Sequence, residues 1–353
     1  MTLFLCGALA TYSLFTYAAL ALEGQNMGAV FAVYGLLPLF VVKLYTLAAQ
    51  IVFVVGLSLA TLVLMLGMLA VSAIEMETLR GHRFFSARGA IRFALSRFKQ
   101  IALSEIAIIA FVAFIWLLLF LFGLICRIPV VGDWLFTILA VIPNFVVGMF
   151  TVFILFVLSV SWLLLPAVAA AERHGEVFGA IVETFSTIIR QPVRWLVFTA
   201  YSFAAAKVCS FIYAYFAFRS MQFVTWSGKI GGGEKIETLV RSGLSHIPVN
   251  SDVVQATFNL FPGVDFGFSL LHYTRGGNNS AAGHFMALML FLIFASVIAY
   301  ALSVLATAQA RGYVVVRYIK DNHRIPDEEP MFFTDEHVNP PIDSGGGTPA
   351  AES

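Results

Sequence analysis

Long apolar runs separated by short charged segments set the plan of this chain. Runs at about residues 1–22, 47–73, 101–125, 135–169, 195–217 and 284–310 are each long enough to cross a bilayer core as a helix. A shorter run from Met27 to Val42 contains Gly28, Gly35 and Pro38. It reads as re-entrant or interfacial, with a full span as the alternative. Run 135–169 is longer than a bilayer needs, and Pro143, Asn144 and Pro166 are the expected places for a break or kink. The opening stretch has the apolar core of a signal peptide, but its first basic residue is Lys43, so it reads as a first span. The pattern predicts an all-α fold: a polytopic transmembrane helix bundle of about six spans.

Two stretches between spans change period and become amphipathic. In residues 174–190, Phe178, Ile181, Phe185 and Ile188 recur at helical spacing, with Glu176, Glu183 and Arg190 on a polar stripe. Pro192 disfavours helix at Gln191 and so ends the stretch. In residues 84–99, Phe84, Ile91 and Phe98 form a stripe flanked by Arg88, Arg92 and Lys99. Both read as interfacial helices on the cytoplasmic face. Arg88, Arg92, Lys99, Arg190, Arg194 and Trp195 are the expected lipid-headgroup contacts. Gly89-Ala90-Ile91 and Gly179-Ala180-Ile181 stand 90 residues apart, as do Ser96 and Ser186. That spacing suggests a duplicated unit of surface helix, two spans, surface helix and span.

Charge supplies the orientation. Lys and Arg concentrate in residues 80–99, 172–194 and 311–324, whereas the link Arg127–Asp133 carries one of each sign. Basic segments face the cytoplasm in bacterial inner membranes. The C-terminus is then cytoplasmic, and residues 218–283 form a larger external loop region within a membrane domain spanning residues 1–317. In that region, GKIGGGEK (228–235) reads as a flexible loop, Leu239 to Ile247 as a short helix, and 228–280 as a place for a partner or lid. Six spans put the N-terminus inside; a seventh, through 27–42, would put it outside. The tail 318–353 reads as a cytoplasmic, mostly disordered acidic segment with an apolar island at Met331-Phe332-Phe333.

Composition agrees and narrows the chemistry. The chain is 60% hydrophobic and 12% charged, with a mean hydropathy of +0.89. A soluble domain carries about 25% charged residues. No histidine lies in a span core, and no HExxH or other dense metal cluster occurs; no cofactor or metal is expected, and no nucleic acid. Lys207, near the middle of its span, is the costliest intramembrane charge and by default a functional candidate. It is expected to face the bundle and pair with a carboxylate or backbone carbonyls. Glu105, about one turn inside its own span, is the nearest obvious carboxylate, and Asn144 is a further intramembrane polar candidate.

Residues 127–205 resemble a group of uncharacterised bacterial multi-pass membrane proteins of the glycerophosphoryl diester phosphodiesterase membrane-domain type. The shared pattern is a span ending in Pro166, Ala167 and Glu172, an amphipathic helix with Phe185-Ser186, then Pro192, Arg194 and Trp195 opening the next span. The resemblance implies a six-helix architecture and no firm activity. The soluble phosphodiesterase domain of some relatives is absent from these residues. Residues 218–283 depart from the pattern.

The leading expectation is a non-enzymatic subunit or scaffold of a larger membrane complex, with membrane lipids and other membrane subunits as partners. The alternative is a transporter or permease for a small or lipid-like solute, with Lys207 in its pathway. A lipid-acting enzyme ranks third, because no convergent acid and base residues are visible.

Overall fold

The computed structural model describes residues 1–35, 44–82, 85–128, 131–134, 136–137, 141–172, 175–245 and 281–328. Among them the chain forms helices and no strand. The long helices are α1 (Thr2–Leu22), α3 (Leu47–Leu79), α5 (Phe98–Ile125), α7 (Val141–Ala171), α9 (Pro192–Gly232) and α11 (Ala281–Asp321). Shorter ones are α2 (Met27–Tyr34), α4 (Ala87–Ser96), α6 (Val131–Trp134), α8 (Val177–Arg190) and α10 (Glu234–Ser245). Five of the long helices can each cross a membrane by length and composition, and α7 adds a sixth as a bent pair. The chain is therefore a multi-pass membrane protein with an all-α core.

The first two spans form an antiparallel pair. Phe15 packs on Gly56, and a Cβ at Gly67 would lie 2.7 Å from Phe4 Cβ. Glycine at both positions lets the backbones approach, as small residues do between membrane helices. Where α1 ends, Glu23 Oε1 accepts from the Tyr45 and Thr46 amides at 2.8 and 2.7 Å and from Thr46 Oγ1 at 2.9 Å. Thr46 in turn caps α3, its Oγ1 accepting from Ala49 N. Residues 23 and 45–46 thus meet at one end of the bundle. A single crossing through 27–42 does not fit this clip. The eight-residue α2 spans only about 12 Å at 1.5 Å per residue; residues 36–43 lie outside the described set.

Between spans, α4 and α8 occupy equivalent places, linking α3 to α5 and α7 to α9. Their N-caps, Ser86 and Glu176, are 90 residues apart. Both bury the alanine of the repeated Gly-Ala-Ile, Ala90 and Ala180, and the residue one turn on, Ala94 and Thr184. In α8 the buried face runs through Ala180, Thr184, Thr187 and Ile188. Phe178, at the start of the Phe178–Ile188 stripe, is 77% exposed.

The largest core cluster ties one end of the bundle together. It joins Met65 to Met76 of α3, Phe93 of α4, Ile101 of α5, Leu164 to Ala171 of α7, Ile188 of α8, Trp195 of α9 and Tyr313 of α11. All three basic segments converge there. Helix α11 runs past residue 317, and residues 322–328 fold back so that Ile325 is completely buried in the same cluster. Residues 329–353, with the Met331-Phe332-Phe333 island, lie outside the described set.

Two sequence expectations about breaks shift. In α7 the bend is 46° and falls between Val157 and Ser159, not at Pro143, Asn144 or Pro166. Pro143 lies in the first helical turn, where its missing N–H costs nothing. Ser159 Oγ donates to Leu155 O at 2.9 Å, and such back-bonding competes for the helical carbonyl and bends helices. In α9 the helix continues through GKIGG to Gly232, so residues 218–232 are helix rather than loop. Gly233 then takes φ 63°, a left-handed conformation that ends the helix. Ile236 folds back on Gly228 and Gly232, where added Cβ atoms would meet it at 3.0 and 2.6 Å. Helix α10 packs on α9 and α11; residues 246–280 lie outside the described set.

Candidate functional site

Charged side chains at the α4/α8 end are arranged as braces between spans. Arg80, at the end of α3, donates through Nη1 to Glu77 Oε1 at 3.0 Å and through Nη2 to Ala171 O at 3.2 Å. Its Nη2 also reaches Glu328 Oε2 at 2.8 Å. The side chains of Arg80 and Glu77 are 0% and 1% exposed. One guanidinium therefore joins α3, α7 and the C-terminal turn. Burial pulls the Glu328 carboxyl up, but hydrogen bonds from His323 and Arg80 outweigh it and hold the group below its ordinary value.

Two further braces repeat the theme. Glu183 of α8 accepts from Lys320 Nζ at 2.6 Å and from Tyr313 Oη at 3.1 Å, both on α11. Glu172, just past α7, accepts from Gln100 Nε2, while Arg97 Nη2 donates to the Glu172 carbonyl at 3.1 Å. Burial pushes the Glu172 carboxyl above its usual range, against the pull of Gln100 and Arg97. Arg311 of α11 pairs with Glu75 of α3. The Arg80–Glu77 pair is buried, whereas the Arg311 side chain is 64% exposed; a buried pair contributes little net stability, yet it is costly to break and favours one arrangement of the helices.

A cavity of about 290 Å³ lies between α3, α5 and α7. Thr61 and Met65 line it from α3, Glu105 from α5, and Ser159, Trp162 and Leu165 from the bent part of α7. Glu105 is half-buried, and among the described residues it makes no hydrogen bond or ion pair. Trp162 Nε1 is buried without a hydrogen-bond partner there.

The intramembrane candidates separate. Glu105 lines the cavity; Asn144 is half-buried in the first turn of α7; Lys207 is exposed on the outer side of α9. The inward side of α9 is Thr199, Ser202, Ala206, Ser210 and Ala214. Lys207 therefore does not face the bundle interior, and it is not the partner of Glu105. A stripe of small residues every four positions was the available signal: it fixes the inner face, and Lys207 follows Ala206 by one 100° step.

Among the proposed headgroup contacts, Arg88, Arg92, Lys99, Arg190 and Arg194 are exposed. Trp195 is not: it is 5% exposed and belongs to the main core cluster, so it packs the braced end instead of facing headgroups. The braces were missed because their partners lie up to 248 residues apart and follow no period. No group of three His, Cys, Asp or Glu able to hold a metal occurs among the described residues. No family model, no curated protein and no solved structure matches this chain.

Proposed function

We propose that the protein is a non-enzymatic membrane subunit or scaffold of a larger complex, with its braced end against the cytoplasmic leaflet of a bacterial inner membrane. The packing of α5 carries the reading. Only 6% of its most apolar 18-residue window is buried, against 39% for α3. Trp116, Leu117 and Leu118 are exposed on three successive 100° steps, so apolar surface faces outward almost all round. A neighbouring protein helix would supply the packing that the bundle itself does not.

Exposed basic residues at the braced end support the orientation. Arg88 and Arg92 lie beside the exposed Leu95 and Phe98, and Arg190 and Arg194 beside Ile189 and Val193. A basic and apolar surface of this sort suits anionic headgroups, with α4 and α8 as the interfacial amphipathic helices. The kinship with the glycerophosphoryl diester phosphodiesterase membrane-domain type belongs to the same proposal, and it carries architecture without activity.

Gentle extraction from the native membrane followed by native mass measurement tests the reading. Other chains in fixed stoichiometry are expected. A lone chain or a homo-oligomer would overturn it. The alternative, passage of a small or lipid-like solute, draws on the cavity at Glu105 in place of the outward-facing Lys207.

A further inference from the structure

Two of the three hydroxyls that line the cavity point their hydrogens away from it. Thr61 Oγ1 donates to Ser58 O at 2.8 Å, and Ser159 Oγ donates to Leu155 O at 2.9 Å. Each hydroxyl has spent its single proton on its own helix, so it can offer the cavity only lone pairs. An ionised Glu105 also only accepts. The wall thus presents acceptors from three helices, with Trp162 Nε1 as the unpartnered donor. Trp162 also brings an indole face, which attracts cations, and Met65 and Leu165 supply apolar lining. The rim residues Ile109 and Ser159 are exposed on the outer surface of two apolar spans. The mouth therefore opens sideways, at the level of the spans, rather than onto an aqueous end.

We infer that this cavity binds the ammonium group of an amphiphile entering from the bilayer. A primary ammonium carries three donors and no acceptor, which matches Glu105, Thr61 and Ser159 as acceptors. Its charge satisfies a carboxylate that has no other partner among the described residues. An attached chain would leave through the sideways mouth into lipid. A neutral alcohol would leave the carboxylate without its counter-charge, and a fatty acid would set two carboxylates together. The site stands on the cavity alone and is independent of whether other chains accompany the protein.

The test uses the full chain in nanodiscs of neutral lipid and three probes of one chain length: decylammonium, decanol and decanoate. Native mass measurement is expected to show one saturable decylammonium per chain, at least ten-fold tighter than decanol, with no saturable decanoate. Glu105→Gln should remove the saturable step, and Glu105→Asp should retain it. An unchanged melting temperature in Glu105→Gln shows that the fold survives. If that variant does not fold, Ser159→Ala is read instead, with weaker decylammonium and unchanged decanol binding expected. Equal binding of the three probes, or saturable decylammonium binding in folded Glu105→Gln, would overturn the assignment. Failure here leaves the scaffold reading standing, because its readout is the presence of other chains.

Discussion

Glu23 Oε1 accepts a hydrogen bond from the Thr46 amide at 2.7 Å, joining the end of the first span to the start of the second. This contact decides the parity of the bundle. Positions 25 and 45 should label from one side of the membrane, and position 88 from the other. The measurement is thiol labelling of Gln25→Cys, Tyr45→Cys and Arg88→Cys in a chain with Cys6, Cys126 and Cys209 replaced by serine. Labelling of 25 and 45 from opposite sides would mean that the intervening segment crosses.

Arg80 is the most heavily loaded brace. Removing one partner of a buried pair leaves the other charge uncompensated, at a cost of about 3–5 kcal/mol. Arg80→Met should therefore destabilise the protein by about that amount, seen as a lower unfolding midpoint in detergent. Adding Glu77→Leu should recover much of the loss, because no unpaired buried charge then remains. A double variant as unstable as the single one would show that Arg80 acts mainly through Ala171 O and Glu328.

The C-terminal turn should be released by acid. Glu328 has a folded value below its ordinary one, held there by His323 and Arg80 against burial. A depressed carboxyl contributes stability above its unfolded value of about 4.3 and loses it as pH falls through the folded value. Hydrogen exchange at the Asp327 and Glu328 amides, which bond to Arg324 O and Ile325 O, should accelerate beyond the intrinsic rate only below about pH 4. Glu328→Gln should abolish that dependence. Release centred well above about pH 4 would contradict the assignment to Glu328.

Gly56 sets the approach of α1 to α3, with Phe15 directly over it. Gly56→Leu should separate the pair and destabilise the chain by about 1–3 kcal/mol, the usual cost of overpacking. The readout is the thermal midpoint. Gly123→Leu is the control: a Cβ there meets nothing within 4 Å, and its midpoint should not move.

The spans, the two linking helices and the shared side of the basic segments were legible because each is written in local periodicity or composition. What was not legible depends on contacts between distant helices. Residues 218–232 contain three glycines and look like a loop, yet helix continues because Gly228 and Gly232 make room for Ile236. Trp195 follows Arg194 at a span entrance, where aromatic residues commonly meet headgroups. Here Trp195 turns inward, because α9 presents its small residues to the bundle on that same face. Glu105 was singled out beside Lys207, but its cavity also needs Thr61 and Ser159 from two other helices, and no period in the sequence brings the three together.

The scaffold reading is tested most directly inside the native membrane, on the outer surface of α5. A photo-reactive benzoylphenylalanine would replace Trp116, which is 64% exposed, and in a parallel sample Ile115, which is buried against Ile154. Illumination should give one discrete heavier adduct from position 116, containing a second, different polypeptide, and none from position 115. An adduct only to lipid or to another copy of this chain at position 116 would contradict the account.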